Sequence, residues 1–127
     1  MECACVYIEN EGGPEFIKET TPVARKEHIC SECRKKIQIK EKYERAEGVW
    51  DGDFRTYKTC LDCRSVRSEF FCNGWTYEQI WNDLHEFISD CGGDPGDDRL
   101  SKLTPAALVK VDSILKRYND QHEETYT

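Results

Sequence analysis

The chain has 127 residues, of which 34% are charged, with a net charge of −7 and eight cysteines. That length holds one domain, or one small domain with an appendage, and a modest core that a metal would supplement. No apolar run reaches membrane-spanning length and no secretory leader is seen, so the expected setting is a reducing cytoplasm, where eight cysteines argue for metal ligation over disulfides.

Residues 1–22 carry little periodic pattern. Cys5-Val6-Tyr7-Ile8 reads as a brief strand and Glu11-Gly12-Gly13-Pro14 as a turn. Val23 to Ile29 leads into Cys30-Ser31-Glu32-Cys33, the first of two C-x-x-C steps. Ile37-Gln38-Ile39 follows. Then Tyr43–Trp50 and Phe54–Thr59 flank Asp51-Gly52, a hairpin signal because a tight turn needs residues that accept positive φ. The hairpin returns the chain to the second step, Cys60-Leu61-Asp62-Cys63, so that the two pairs meet.

Thr59 is the expected N-cap of a helix over 60–71, with Cys63, Val66 and Phe70 on one face. In a second helix Thr76 and Gln79 have capping-box spacing. Tyr77, Ile80, Trp81, Leu84, Phe87, Ile88 and Cys91 follow at helical spacing up to Gly92-Gly93. Gly92 to Arg99 reads as a loop. A third helix begins at Thr104-Pro105, with Leu108, Val111, Ile114, Leu115 and Tyr118 as its apolar face and a polar tail from Asp120. The expected fold class is α+β: a small zinc-stabilised domain over 1–72 built around a β-hairpin, followed by a helical part over 73–127. The order knuckle, hairpin, helix favours a treble-clef-like arrangement. A zinc-ribbon-like one would place the second knuckle between strands.

Cys30, Cys33, Cys60 and Cys63 are the strongest chemical signal. Four thiolates delivered as two short pairs suit a tetrahedral Zn²⁺, and four protein ligands leave no position for water or substrate, which marks a structural site. Iron also occupies such sets, but zinc is the commoner occupant of a closed one. Cys3, Cys5, Cys72 and Cys91 remain. They make a candidate second zinc site if the chain start folds onto the end of the first helix, although Cys91 also fits a core position. His28, two residues before Cys30, is a candidate ligand or a sulfur's hydrogen-bond partner, and otherwise a packing residue. His85 reads as a boundary residue of its helix. No nucleophilic triad and no phosphate-binding glycine loop is present. Trp50, Phe54 and Tyr57 on the hairpin read either as an exposed recognition surface or as core packing on Val66 and Phe70, and the core reading is preferred because a small zinc domain needs its aromatics inside. Trp75, Trp81 and Phe87 either cover the small domain or make a partner contact.

Charge is unevenly placed. Residues 24–67 hold twelve Lys/Arg against eight Asp/Glu, a formal +4, and the rest holds −11. An acidic chain gains little from counterion release, so general nucleic-acid binding is not expected. The alternative function, a nucleic-acid-binding zinc finger, would use Arg25, Lys26, Arg34, Lys35 and Lys36. A nuclease is a more distant third, because no His-rich metal site accompanies the cysteines.

The run Ala24-Arg25-Lys26-Glu27-His28-Ile29-Cys30-Ser31-Glu32-Cys33, continued by Gly48-Val49-Trp50-Asp51-Gly52-Asp53-Phe54-Arg55-Thr56-Tyr57-Lys58-Thr59-Cys60, resembles small zinc-finger-like proteins of tailed bacteriophages and prophages. Cys3-x-Cys5 and Cys72 fit that pattern, and the likeness covers roughly residues 1–84. The resemblance implies an accessory protein acting in the cytoplasm of a bacterial host, with Cys3, Cys5 and Cys72 as further ligands. The function expected is non-catalytic: a zinc-stabilised module with no membrane role that binds and modulates a host protein, in transcription or defence.

Overall fold

The computed structural model describes residues 5–6, 16–72, 74–92 and 97–123. Its elements are five strands and four helices: β1 Phe16–Thr20, β2 His28–Ile29, β3 Lys36–Ile37, β4 Tyr43–Trp50, β5 Asp53–Cys60, α1 Leu61–Phe70, α2 Ile80–Asp90, α3 Asp97–Leu100 and α4 Pro105–Glu123. The fold is α+β, and no described helix is long and apolar enough to cross a membrane.

The β4–β5 hairpin closes through Asp51 (φ 50°) and Gly52 (φ 81°), the two left-handed residues that a two-residue hairpin turn requires. β1 pairs antiparallel with the other side of β4, giving a sheet of order β1-β4-β5. The Phe16–Thr20 strand went unread in the sequence. The Cys5–Ile8 strand expected there lies mostly outside the described residues, within which Val6 donates its N–H to the Phe70 carbonyl at 2.8 Å. A small hairpin, β2–β3, carries the first C-x-x-C at its turn.

Period-two alternation sorts the large sheet's side chains. Glu44, Ala46, Gly48 and Trp50 of β4 face inward with Tyr57 and Thr59 of β5. Trp50 folds its ring over Gly48, where a Cβ would lie 2.9 Å from that ring and 2.4 Å from the Phe16 carbonyl oxygen. The chain between α1 and α2 crosses this inner face. Tyr77 stacks on Tyr57 at 4.4 Å with planes 2° apart, and Trp50 and Trp75 meet Tyr77 edge-on. Arg67 of α1 lies on the Trp75 ring at 4.1 Å and is paired with Glu44, both side chains 5% exposed.

α1 buries Cys63, Val66, Arg67 and Phe70, the i, i+3, i+4, i+7 set of one helical stripe. Its N-cap is Cys60 and not Thr59: the Cys60 sulfur accepts from the Cys63 N–H at 3.5 Å. α2 buries Ile80, Leu84, Phe87 and Ile88. The Thr76 capping box does not form, and Gln79 caps α2 without a side-chain bond. α4 buries Ala107, Val111 and Ile114, while Leu108 is 38% exposed and drops out of the expected face. One continuous core joins Cys30, Ile37 and Tyr43 to Val66, Phe70, Ile80, Leu84 and Val111. Each such apolar side chain, fully buried, contributes about 1.5–3 kcal/mol.

Candidate metal centre

The knuckle that carries Cys30 and Cys33 is built by backbone geometry. Cys30 N–H bonds the Lys35 carbonyl at 2.9 Å, Arg34 N–H returns to the Cys30 carbonyl at 3.0 Å, and Arg34 takes a left-handed φ of 66°. The other pair sits at the junction of β5 and α1, where Cys60 ends the strand and Cys63 lies in the first helical turn. Ser31 locks the two parts together: its N–H reaches the Lys58 carbonyl at 2.7 Å, and its Oγ accepts from Lys58 N–H at 3.0 Å.

The result gathers four sulfurs within 4.8 Å of one another. Cys30 and Cys63 are 3.8 Å apart, and Cys33 and Cys60 are 3.9 Å apart. A regular tetrahedron of sulfurs about 2.3 Å from a central Zn²⁺ has edges of about 3.8 Å, so the donor set fits one metal ion in type, number and spacing. Knuckle, hairpin and helix follow in treble-clef order. Three of the four side chains are buried and Cys33 is half-buried.

Electrostatics point the same way. Hydrogen bonds from the Cys33, Cys60 and Cys63 thiols hold Cys30 far below the usual thiol range. Contacts with Cys30 and then Cys33 push Cys60 and Cys63 up, and burial adds to both. Four thiols this close cannot all ionise without a cation among them. A divalent ion replaces the protons, and the centre then carries a net −2.

Groups around the cluster suit that charge. The Trp81 indole N–H donates to the Cys63 sulfur at 3.3 Å, and Cys60 N–H reaches the Cys30 sulfur at 3.4 Å. Lys110 sits over the Trp81 ring at 4.2 Å, and Lys35 pairs with Asp62. Burial opposes ionisation of Asp62, but the Lys35 ammonium and the Thr104 hydroxyl outweigh it and hold its pKa below the usual carboxylate range. Thr104 Oγ1 donates to Asp62 at 2.6 Å and accepts from Ala107 N–H at 3.3 Å, so the start of α4 is anchored inside the second C-x-x-C step.

Glu32, inside the first C-x-x-C, has a role that spacing did not reveal. Its carboxylate accepts from the N–H groups of Glu78 at 2.7 Å and Ile80 at 3.3 Å, and so caps α2 from 48 residues away.

His28 is not a ligand. Its Nδ1 meets Lys58 Nζ at 3.0 Å and its Nε2 meets the Tyr43 hydroxyl at 3.5 Å. His85 is exposed on α2. Phe54, expected in the core, is 65% exposed, and Trp50 and Tyr57 pack on Tyr77 rather than on Val66 and Phe70. Of the five cations of the nucleic-acid reading, three face carboxylates: Arg34 with Glu78 at 3.1 Å, Lys36 with Glu27 at 3.7 Å, and Lys35 with Asp62.

Of the other four cysteines, Cys5 and Cys72 are brought together as a disulfide with Cα atoms 5.9 Å apart. Cys91 is also disulfide-bonded, and Cys3 lies outside the described residues. A disulfide sulfur is no thiolate ligand, so in this structure Cys5, Cys72 and Cys91 do not make the second metal set expected of them, and such a set would require them reduced.

Comparison with family models, curated proteins and solved structures finds no match.

Proposed function

We propose that this is a non-catalytic, zinc-stabilised binding module that docks on and modulates a protein. The observation that carries this reading is the closed, four-thiolate donor set at the junction of knuckle, hairpin and helix. Its ligands use every position of a tetrahedral ion, so the metal organises the fold and function falls to the surface. Zinc is the ion that four cysteines at this spacing favour. The resemblance to phage zinc-finger-like proteins supports an accessory role in the cytoplasm of a bacterial host, with a host transcription or defence protein as target. General nucleic-acid binding is disfavoured by the net charge of −7 and by the carboxylates already facing Arg34, Lys35 and Lys36.

In that reducing compartment Cys5 and Cys72 are thiols, and with Cys3 and Cys91 they form a second zinc set. Protein purified with a thiol reductant then carries two zincs per chain, and the combined Cys3→Ser, Cys5→Ser and Cys72→Ser variant carries one. One zinc in both would remove the second set. The module itself is tested by elemental analysis and by pull-down from bacterial lysate, which should retain one stoichiometric host protein. Metal-free folded protein, or DNA cleavage on adding a divalent ion, would overturn the reading.

A further inference from the structure

The inner face of the β1-β4-β5 sheet is covered by the Trp75–Gln79 segment. The outer face is closed at its foot, where Tyr43 and Cys60 are buried and His28 meets Tyr43 and Lys58, and among the described residues no contact from another element covers it toward the hairpin turn. Register places Phe16, Val49 and Phe54 side by side in one row of that outer face. Phe16 is 60% exposed and Phe54 65%. Two rings on the outer strands with a valine between them span two inter-strand spacings, about 9.6 Å. An apolar platform of this kind, held on a rigid hairpin, is unusual for a surface that stays in water.

Charge on the sheet is sorted by face. Lys18 points outward from the row of Glu47, and Arg45 and Lys58 from the row beyond it, and Glu47 is the single outward carboxylate of the paired strands, bonded to Arg45 at 2.8 Å. Glu19, Glu44 and Asp53 occupy the inward parity, with Arg55 the one cation among them. His28 stands at the foot of this face, its Nδ1 on Lys58 Nζ at 3.0 Å.

Resting on the protein-binding reading above, we infer that the outer face of the β1-β4-β5 sheet docks an extended acidic protein segment, with an apolar side chain on the Phe16/Val49/Phe54 row and carboxylates over Arg45 and Lys58. The rows set the pattern. The apolar row and the Arg45/Lys58 row are four residues apart along β4, about 13 Å, the distance between residues i and i+4 of an extended chain. The matching segment therefore has an aromatic or large aliphatic residue with an acidic residue four positions away. A protein segment fits better than a nucleic-acid strand. The outward face has a formal surplus of only two charges among its paired rows, in a chain of −7, which neutralises few phosphates. Its apolar row calls for a side chain that water excludes.

The test is selection of a displayed random twelve-residue peptide library against the zinc-loaded full chain, followed by titration of the synthesised winners. The expected result is a consensus pairing an apolar anchor with a carboxylate at i+4. Its binding should weaken at least tenfold with Phe54→Ser and with Lys18→Glu/Lys58→Glu, fall with added salt, and be unchanged by Leu108→Ser on α4. Zinc content and melting temperature confirm that the variants fold. No enrichment, a consensus without carboxylates, or winners indifferent to Phe54→Ser would overturn the inference. So would a fifteen-residue oligothymidine that binds as tightly as the peptides and loses binding to the same variants, since the face would then serve a nucleic-acid strand. A stoichiometric host protein from lysate that still binds the Phe54→Ser and Lys18→Glu/Lys58→Glu variants would sink this surface while leaving the protein-binding reading intact.

Discussion

Replacing Glu32 with alanine isolates the link between the metal knuckle and the second helix. The carboxylate is the acceptor for two backbone N–H groups at the start of α2, and Ile80 is fully buried. Loss of a helix N-cap costs about 1 kcal/mol, and leaving a buried N–H without an acceptor adds about 1 kcal/mol or more, so the expected destabilisation is about 2 kcal/mol. For a chain of this size that lowers the melting temperature by about 6–8 °C. Glu32→Gln keeps an acceptor oxygen and should lose about half as much. Burial raises the Glu32 pKa against its two backbone bonds, so the folded state holds this proton to higher pH than the unfolded chain. The stabilisation Glu32 gives is therefore greatest below the ordinary glutamate range and declines as pH rises through it. The difference between wild type and Glu32→Gln should shift toward wild type on acidification. The assay is urea or thermal unfolding in saturating zinc, with hydrogen exchange read at the Ile80 amide. An alanine variant within about 0.3 kcal/mol of wild type, or an unchanged Ile80 exchange rate, would refute the capping argument.

Other expectations follow from single contacts. Cys60→Ser removes a ligand and the N-cap of α1 together, so zinc stoichiometry should drop and the cooperative unfolding transition should vanish, as measured by elemental analysis and circular dichroism. Trp81→Phe keeps the ring packing but deletes the N–H donated to the Cys63 sulfur. Metal affinity in a chelator competition should weaken about 10-fold or more while the fold persists. Glu44→Ala strands the buried Arg67 and should cost about 3–5 kcal/mol by denaturant titration. Gly48→Ala forces a Cβ against the Phe16 carbonyl and the Trp50 ring. It should cost about 1–3 kcal/mol and loosen β1, visible as faster amide exchange across Phe16–Thr20.

The parts of the fold visible in the sequence are those governed by local chemistry. Asp51-Gly52 identified the hairpin turn because few residue pairs tolerate two positive φ angles. The doubled C-x-x-C identified the metal set because spacing alone constrains how two sulfurs reach one ion. Non-local features escaped. β1 is exposed along its whole length, so no buried alternation marks it, and only pairing with β4 makes it a strand. Thr59 and Thr76 look like caps on composition, yet Cys60 caps α1 and Glu32 supplies an acceptor to α2, because the β5–α1 junction places a sulfur and the knuckle a carboxylate where hydroxyls were expected. Phe54 looks like core because it is aromatic. Its parity in β5 turns it to the open face.

The knuckle also bears on how fast the chain reaches its fold. Its contacts to β5, α1 and α2 join residues 27 to 48 positions apart, so the knuckle cannot take its place by local zippering. A metal ion captured by one C-x-x-C shortens the search by holding that loop closed until the second pair arrives. Refolding should then be paced by free zinc rather than by chain diffusion, and in a cell this protein would mature at a rate set by the metal supply at the moment of its synthesis.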